Sequence, residues 1–294
     1  MPEKKKSDAK AGKKKANPRK KQEKTQEKRS PVVKTINTDD WKPKTELGNK
    51  VKSREIMDID YILDNSLRIL EPEIVDTLIT LEQDLLLIGQ SKGKFGGGSR
   101  RVFRQTQKKT MEGNKPKFAT MAIVGDKNGH IGIGFGKAKE TVPAREKSVK
   151  KAKLNIFKIR RGCGSWECGC KTPHSIPFAV EGKCGSVKIK LMPAPKGKGL
   201  CCEDEIAKIL ALAGIKDVWT KTQGQTKNKI NFIYACEDAL RKLIKTKVQD
   251  HHTESHAILE GSMVKQEEPK ESINDDDETK TVENKEKDIP IVKK

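Results

Sequence analysis

Aromatic residues are scarce in this chain: Phe, Trp and Tyr together make up 4% of its 294 residues, and hydrophobic residues of every kind reach only 33%. So little apolar material cannot fill one uniform core of that length, which excludes a single large globule and points to folded parts flanked by disordered ends. Long hydrophobic runs are missing as well. None approaches the roughly 20 residues that a spanning helix requires, and Met1 to Lys34 holds no apolar signal-peptide core, so no membrane partner and a cytoplasmic location are expected. Histidine is rare, with five in the chain. Only His130 and His174 fall in the part expected to fold, whereas His251, His252 and His256 lie in or beside the acidic end. No nucleophile, base and orienter stand at a workable spacing, and this argues against an enzyme.

What the chain has in quantity is charge, 35% of its residues, with 62 Lys and Arg against 41 Asp and Glu and a net charge of +21. Residues 1–34 carry fourteen bases and four acids, residues 250–294 seven and thirteen, and the middle forty-one and twenty-four. A folded middle with that excess repels itself unless a polyanion neutralises it, and nucleic acid is the natural partner. The first 34 residues have no apolar period and read as a basic arm able to lie along phosphates. The acidic end reads as disordered, with no assigned role.

Between the ends, Ile56, Ile59, Ile62, Leu63, Leu67 and Leu70 recur at helical spacing after Ser53, a suitable N-cap, and predict one amphipathic helix. A second opens at Pro72 and runs toward Leu85 to Ile88, ended by Gly89. The Gly-rich stretch 89–101 is expected to be a flexible loop displaying Lys92, Lys94, Arg100 and Arg101. Alternation from Val102 to Met111 predicts a strand with a basic face. A turn at residues 112–116, a strand from Phe118 to Val124, a turn at 125–129 and a strand from His130 to Phe135 complete an antiparallel meander. A helix opened by Pro143 follows, with Val149, Ala152, Ile156 and Ile159 facing inward. After a cysteine-rich link, strands at Ile176 to Val180 and Val187 to Met192, a helix from Glu203 to Gly214, a strand at Val218 to Thr222 and a helix at Ile230 to Ile244 predict a second α+β unit.

The glycines at 129–136 invite a nucleotide site, but the spacing fails: Ile131 stands where a phosphate loop needs glycine, and Ala138 follows Lys137 where it needs a hydroxyl. Gly132, Gly134 and Gly136 alternate on a strand, which suits close approach of a backbone, whether RNA or the protein's own helix. Lys137 and Lys139 then sit at the strand's end, within reach of phosphate. In the loop at 193–199, two prolines stiffen the backbone and Lys196 and Lys198 offer charge.

Seven cysteines, an odd number without an export signal, read as reduced thiols or metal ligands. Cys163, Cys168, Cys170 and His174 lie within twelve residues, and four such soft ligands can hold a structural zinc. The spacing is unusual, because structural sites commonly pair a Cys-x-x-Cys with a distant second pair. The alternative is a glycine-rich linker of reduced thiols whose Arg160, Arg161 and Trp166 grip RNA or the neighbouring domain. No other cofactor is implied.

The ordered segments TMEGNKPKFATMAIVGDKNGHIGIGFGKAKETVPA, AKLNI, RRGCGSWECGC, PHSIPFAVEGKCGSVKIKLMPAPKGKGL and LALAGIKDVWTKTQGQT, with the helix NFIYACEDALRKL, resemble the small-subunit ribosomal protein S-five family over about 102–243, and more weakly from 56. The cysteine segment is similar to the archaeal branch. The resemblance implies an α+β chain with a double-stranded-RNA-binding-like domain (51–161) and, after the Cys-rich linker (162–175), an S-five-type βαβ domain (176–249); the disordered basic arm (1–50) and the disordered acidic tail (250–294), read from composition, extend beyond the family core.

It further implies a structural constituent of the small ribosomal subunit near the head and body junction. There it binds small-subunit rRNA, touches neighbouring proteins four and eight and the messenger RNA at the channel through which it enters, and supports translational accuracy. A free homo-oligomer is not expected. Residues Glu112 to Lys117 match the loop linked to spectinomycin resistance in bacterial members, without its twin glycines. In this family the RNA face lies on the sheet and its loops, so the domain resemblance does not imply duplex binding by shape. The expected phosphate contacts are Lys92, Lys94, Arg100, Arg101, Arg104, Lys108, Lys109, Lys115, Lys117, Lys137, Lys139, Arg160, Arg161, Lys196 and Lys198. The alternative is a free duplex-RNA-binding regulator.

Overall fold

A computed structural model describes residues 41–91, 98 and 100–262. The expected arm up to residue 40, the tail from 263, and Lys92 and Lys94 lie outside the described residues. In chain order the elements are α1 (Glu46–Lys52), α2 (Ile59–Asp64), α3 (Pro72–Leu78), β1 (Glu82–Leu85), β2 (Arg104–Thr110), β3 (Gly113–Gly125), β4 (His130–Ala138), α4 (Thr141–Leu154), β5 (Ile156–Lys158) and β6 (Arg160–Arg161). There follow β7 (Val180–Cys184), β8 (Val187–Pro193), β9 (Leu200–Cys201), α5 (Asp204–Leu212), β10 (Val218–Gln223), α6 (Lys229–Lys245), α7 (Asp250–Ser255) and β11 (Leu259–Glu260).

The long helix expected over 56–70 is only the short α2, and a separate helix, α1, precedes it. Thr45, not Ser53, is the capping residue there: it caps α1, its hydroxyl accepting from the Gly48 amide at 3.1 Å, and Ser53 ends that helix. Arg54 (φ 62°) and Ser66 (φ 53°), on either side of α2, adopt left-handed backbone that no helix passes through, which is why an apolar period alone overran the boundaries. Val51, Ile59, Ile62, Ile74 and Val75 still bury together, against Ile156. Glu71 ties down the start of the described chain by accepting from the indole of Trp41 (3.0 Å) and the amides of Lys44 and Thr45 (2.8 Å each). Helix does not continue into the run Leu85 to Ile88: Leu85 closes the strand β1, and 86–88 form no regular element.

The first sheet is antiparallel, ordered β1, β3, β4, β5, with β2 sharing the β1 edge of β3 farther along the strand. Thr110 pairs with Gly113, so the β2–β3 turn spans two residues, and the expected turn at 112–116 is strand almost throughout. Pro116 is tolerated because β3 has only β2 beside it there; β4 joins at Phe118.

One face of this sheet carries α4. The helix buries Ala144, Ser148 and Ala152 on Gly132, Gly134 and Gly136, and a methyl at Gly134 would come within 2.2 Å of the Ala152 nitrogen and the Ser148 oxygen. The glycines therefore serve the chain's own helix, which needs small residues on both sides of the contact. Val149, expected to face inward, is only half-buried, and Ile156 and Ile159 lie beyond the helix.

The opposite face presents Met121, Ile123, Ile131 and Ile133 to a core shared with the second unit, which includes Ile189, Leu191, Ile206, Ile209, Leu212 and Leu240. That unit is a four-stranded sheet ordered β7, β8, β10, β9, in which β9 and β10 run parallel across α5 as a βαβ turn. Its first strand begins at Val180, not Ile176. Polar bonds cross the shared core too: Glu205 accepts from the Leu87 amide at 2.8 Å, and the Leu212 carbonyl from the Lys127 amide at 2.9 Å. The chain from 250 is not a featureless tail throughout. Residues 250–255 form α7, and β11 pairs with β6.

His130 joins the first three helices to the sheet. It is fully buried, with Nδ1 at 2.6 Å from Asp126 and Nε2 at 2.8 Å from Asp60 of α2. Burial disfavours its charge, but the hydrogen bonds and charges of the two carboxylates outweigh that and raise its pKa to about 9. Flanked by two carboxylates and sealed from solvent, it is a buried cation holding elements together.

Candidate nucleic-acid interface and cysteine cluster

Beyond Phe118, β2 and β3 leave the sheet as a two-stranded ribbon, exposed on both faces. Strand parity puts Arg104, Lys108, Lys115 and Lys117 on one face, and Lys137 of β4, opposite Ala119, continues it. This is the same face that buries Met121 and Ile123 farther along, so the basic row begins where the second unit's cover stops. Lys109 occupies the other face. Lys108 and Lys115 stand directly opposite each other, an arrangement of like charges that costs stability in isolation and becomes favourable beside phosphates. Lys115 touches Glu112 at 2.5 Å, an exposed contact of little worth. Among the described residues, Arg104, Lys108, Lys109, Lys117, Lys137, Lys139, Lys196 and Lys198 have no carboxylate partner in an ion pair and are solvent-exposed.

Near the base of the ribbon, Arg100 and Arg104 line a cleft with Lys227 and Lys229 of the second unit. The cleft thus draws cations from both units. Arg100 reaches the Gly89 carbonyl at 3.5 Å, and Arg101, exposed, bonds through its backbone to Gly89 and Gln90. Lys227 and Lys229 carry no sign of this in the sequence, because nothing before α6 marks its start as facing Arg100 and Arg104. Lys229 is also committed to Glu203.

Of the two roles expected for Arg160 and Arg161, gripping RNA or the neighbouring domain, Arg160 has the second. The Arg160 guanidinium pairs with Glu260 and donates to the carbonyls of Leu243 (3.3 Å) and Thr246. Arg161 donates to Lys127 (3.3 Å), Asn128 (2.8 Å) and Gly261 (3.3 Å) carbonyls. These contacts commit much of each guanidinium to the protein itself. Trp166, by contrast, is 89% exposed.

The link 162–175 folds back on itself. Gly162 and Ser175 pair, the Gly164 amide donates to Ile176 at 3.2 Å, and a methyl on Gly164 would lie 1.8 Å from the Pro177 carbonyl, so only glycine fits. This clasp brings Cys163 and His174 together at its closed end. Cys163 and Cys170 sulfurs are 3.6 Å apart, Cys168 Sγ is 3.7 Å from His174 Nε2, and the four ligand atoms all lie within 4.8 Å of one another. The other ring nitrogen, Nδ1, meets Asp217 Oδ2 at 2.8 Å. The Thr172 hydroxyl, donating to Cys170 at 3.2 Å, lowers that thiol's pKa to about 6, while burial pushes Cys163 up to about 12. A group of three thiols and an imidazole so disposed can bind a metal ion.

Asp217 also reaches the basic loop. Its Oδ1 accepts from the Gly199 amide at 2.7 Å, directly after Lys196 and Lys198, so the cysteine cluster and that loop share one carboxylate.

Comparison with known proteins agrees with this architecture. Residues 102–160 match the model of the ribosomal protein S5 N-terminal domain, and residues 182–251 that of the ribosomal protein S5 C-terminal domain. The small ribosomal subunit protein uS5 of Nanoarchaeum equitans is 50% identical over 230 residues, 78% of this chain and 99% of the relative. The chain belongs to the ribosomal protein S5 family. The uS5 protein of Methanocaldococcus jannaschii is 47% identical over the same shares, and that of Pyrobaculum aerophilum 46% identical over 71% of this chain and 89% of the relative. No helix among the described residues is long and apolar enough to cross a membrane.

Proposed function

We propose that this chain is a non-enzymatic structural constituent of the small ribosomal subunit, in the cytoplasm, where it binds small-subunit rRNA near the head and body junction. The reading includes contacts with neighbouring proteins four and eight and with messenger RNA where it enters, and a contribution to translational accuracy. The observation that carries it is the ribbon. Exposed cations, most of them without an acidic partner and with Lys108 and Lys115 facing each other across β2 and β3, extend from the sheet in a chain that matches uS5 proteins over nearly their whole length. Electrostatics of this kind binds phosphate without reading bases, while the sheet behind it fixes register and orientation.

Sedimentation of native extract through sucrose gradients in low and high salt tests it, with the chain detected by mass spectrometry. It is expected to move with small subunits and to survive the high-salt wash. Recovery at the top of the gradient overturns the ribosomal reading in favour of a free duplex-RNA-binding regulator.

A further inference from the structure

The clasp at 162–175 builds more than a turn, and two spacings within it, in a group of four ligand atoms that all lie within 4.8 Å, are those of a particular coordination sphere. A tetrahedral zinc ion with thiolate bonds of about 2.3 Å and an imidazole bond of about 2.0–2.1 Å sets its sulfurs about 3.8 Å apart, and each sulfur about 3.5 Å from the nitrogen. The sulfurs of Cys163 and Cys170 are 3.6 Å apart, and Cys168 Sγ lies 3.7 Å from His174 Nε2. We propose that Cys163, Cys168, Cys170 and His174 bind one zinc ion in a closed site of three thiolates and one imidazole.

Two further observations point the same way. A neutral His174 must carry its proton on Nδ1 to bond the Asp217 carboxylate, and this leaves the Nε2 lone pair directed at the sulfurs, the tautomer a metal ligand needs. Asp217 is itself fixed, by the Gly199 amide on its other oxygen and by its own amide donating to the His174 carbonyl at 3.1 Å. The site also stands where separate parts of the chain converge: Cys163 bonds residue His256 through its backbone, and Ser175 bonds Asp217 just before β10. A metal here fastens the crossing between the two units and, through Asp217, steadies the loop that displays Lys196 and Lys198. Three thiolates select a thiophilic ion over magnesium or calcium, and a full set of four protein ligands leaves no open position for chemistry. The inference goes beyond the ribosomal reading and stands or falls without it.

The test is elemental analysis of the reduced full-length chain, together with the absorption spectrum of its cobalt form. The expected result is one zinc per chain, removed by chelator and restored by added zinc, and intense visible bands of tetrahedral cobalt with thiolate ligands. Cys168→Ser is expected to lower the zinc content to a small fraction, and Cys201→Ser, an exposed cysteine outside the cluster, to leave it at one. Asp217→Asn is expected to keep one zinc at saturation and to lose about 10–100-fold in affinity by chelator competition, the signature of a positioning residue. Should Cys168→Ser fail to fold, the wild-type stoichiometry and cobalt spectrum still decide. Zinc well below one per chain after reconstitution, iron in its place, an octahedral cobalt spectrum, or zinc unchanged by Cys168→Ser overturns the proposal.

Discussion

Asp60 in α2 and His130 in β4, seventy residues apart, meet at 2.8 Å, and the imidazole's other nitrogen bonds Asp126 at 2.6 Å. The pair is a buried polar link between the N-terminal helices and the sheet, beside the ion pair of Lys158 in β5 with Asp64 in α2. Its energetics follow from the imidazole's pKa, raised to about 9 from the ordinary 6.5 despite burial.

A group whose pKa is raised on folding stabilises fully below its unfolded value and loses that contribution as pH climbs through the folded one. Stability is therefore expected to fall between about pH 6.5 and 9, by a few kcal/mol. Asp60 and Asp126 behave oppositely. Their pKa values are lowered by His130 against the effect of burial, so their contribution is present above the ordinary carboxylate range and lost in acid. Urea midpoints measured from pH 5 to 10 check this: the alkaline decline should be absent in His130→Gln, and an equal decline in both proteins would reject it.

The contact between α4 and β4 predicts a sharp steric cost. Gly134→Ala puts a methyl 2.2 Å from helix backbone, and the expected loss is about 3 kcal/mol. Gly169→Ala, whose added methyl meets nothing within 4 Å, should change stability by less than about 0.5 kcal/mol. Chemical denaturation of both variants checks the pair.

For the ribbon, the expected readout is electrostatic. Lys108→Gln with Lys115→Gln should weaken binding to small-subunit rRNA and flatten the slope of log affinity against log salt by about 2, one for each phosphate that is no longer neutralised. Arg160→Gln should instead lower stability, because its partners are Glu260 and main-chain carbonyls. An unchanged slope in the double lysine variant removes the ribbon from the RNA interface, and the same measurement on an Arg100→Gln, Arg101→Gln variant checks the base of the Gly-rich loop.

The segment after α6 yields a fourth expectation. A chain ending at Gln249 lacks α7, β11 and the Glu260 partner of Arg160, whereas one ending at Ser262 keeps them. Compared by calorimetry, the shorter should melt lower by about 2–8 °C, the effect of one or two kcal/mol in a folded region of this size.

Much of this was legible in the sequence. Alternation gave the ribbon's basic face from Arg104 to Lys108, Gly214 marked the end of α5, and the spacing of three cysteines and His174 drew attention to the link. The misreadings have physical causes. Helical periodicity over 56–70 says which side chains meet a core but not that the backbone turns left-handed at Arg54 and Ser66, on either side of α2. Residues Arg160, Arg161, Lys227 and Lys229 are all basic, and a sequence does not reveal which cation faces a distant carboxylate or carbonyl; Glu260 is one hundred residues from its partner. Asp217, too, carries no local sign that it stands behind His174. The resemblance to the S5 family supplied what the residues alone could not, the setting in which such a surface operates.

The core shared by the two sheets has a mechanical consequence. Because Ile123, Ile131 and Ile133 of one sheet and Ile206, Ile209 and Leu212 beside the other belong to a single apolar body, the sheet at the root of the ribbon and the sheet that carries the loop at Lys196 are not modules on a tether. Their separation is set by the interior of the protein. In the proposed role, that shared interior acts between two nucleic-acid contacts as the frame of a caliper acts between its jaws.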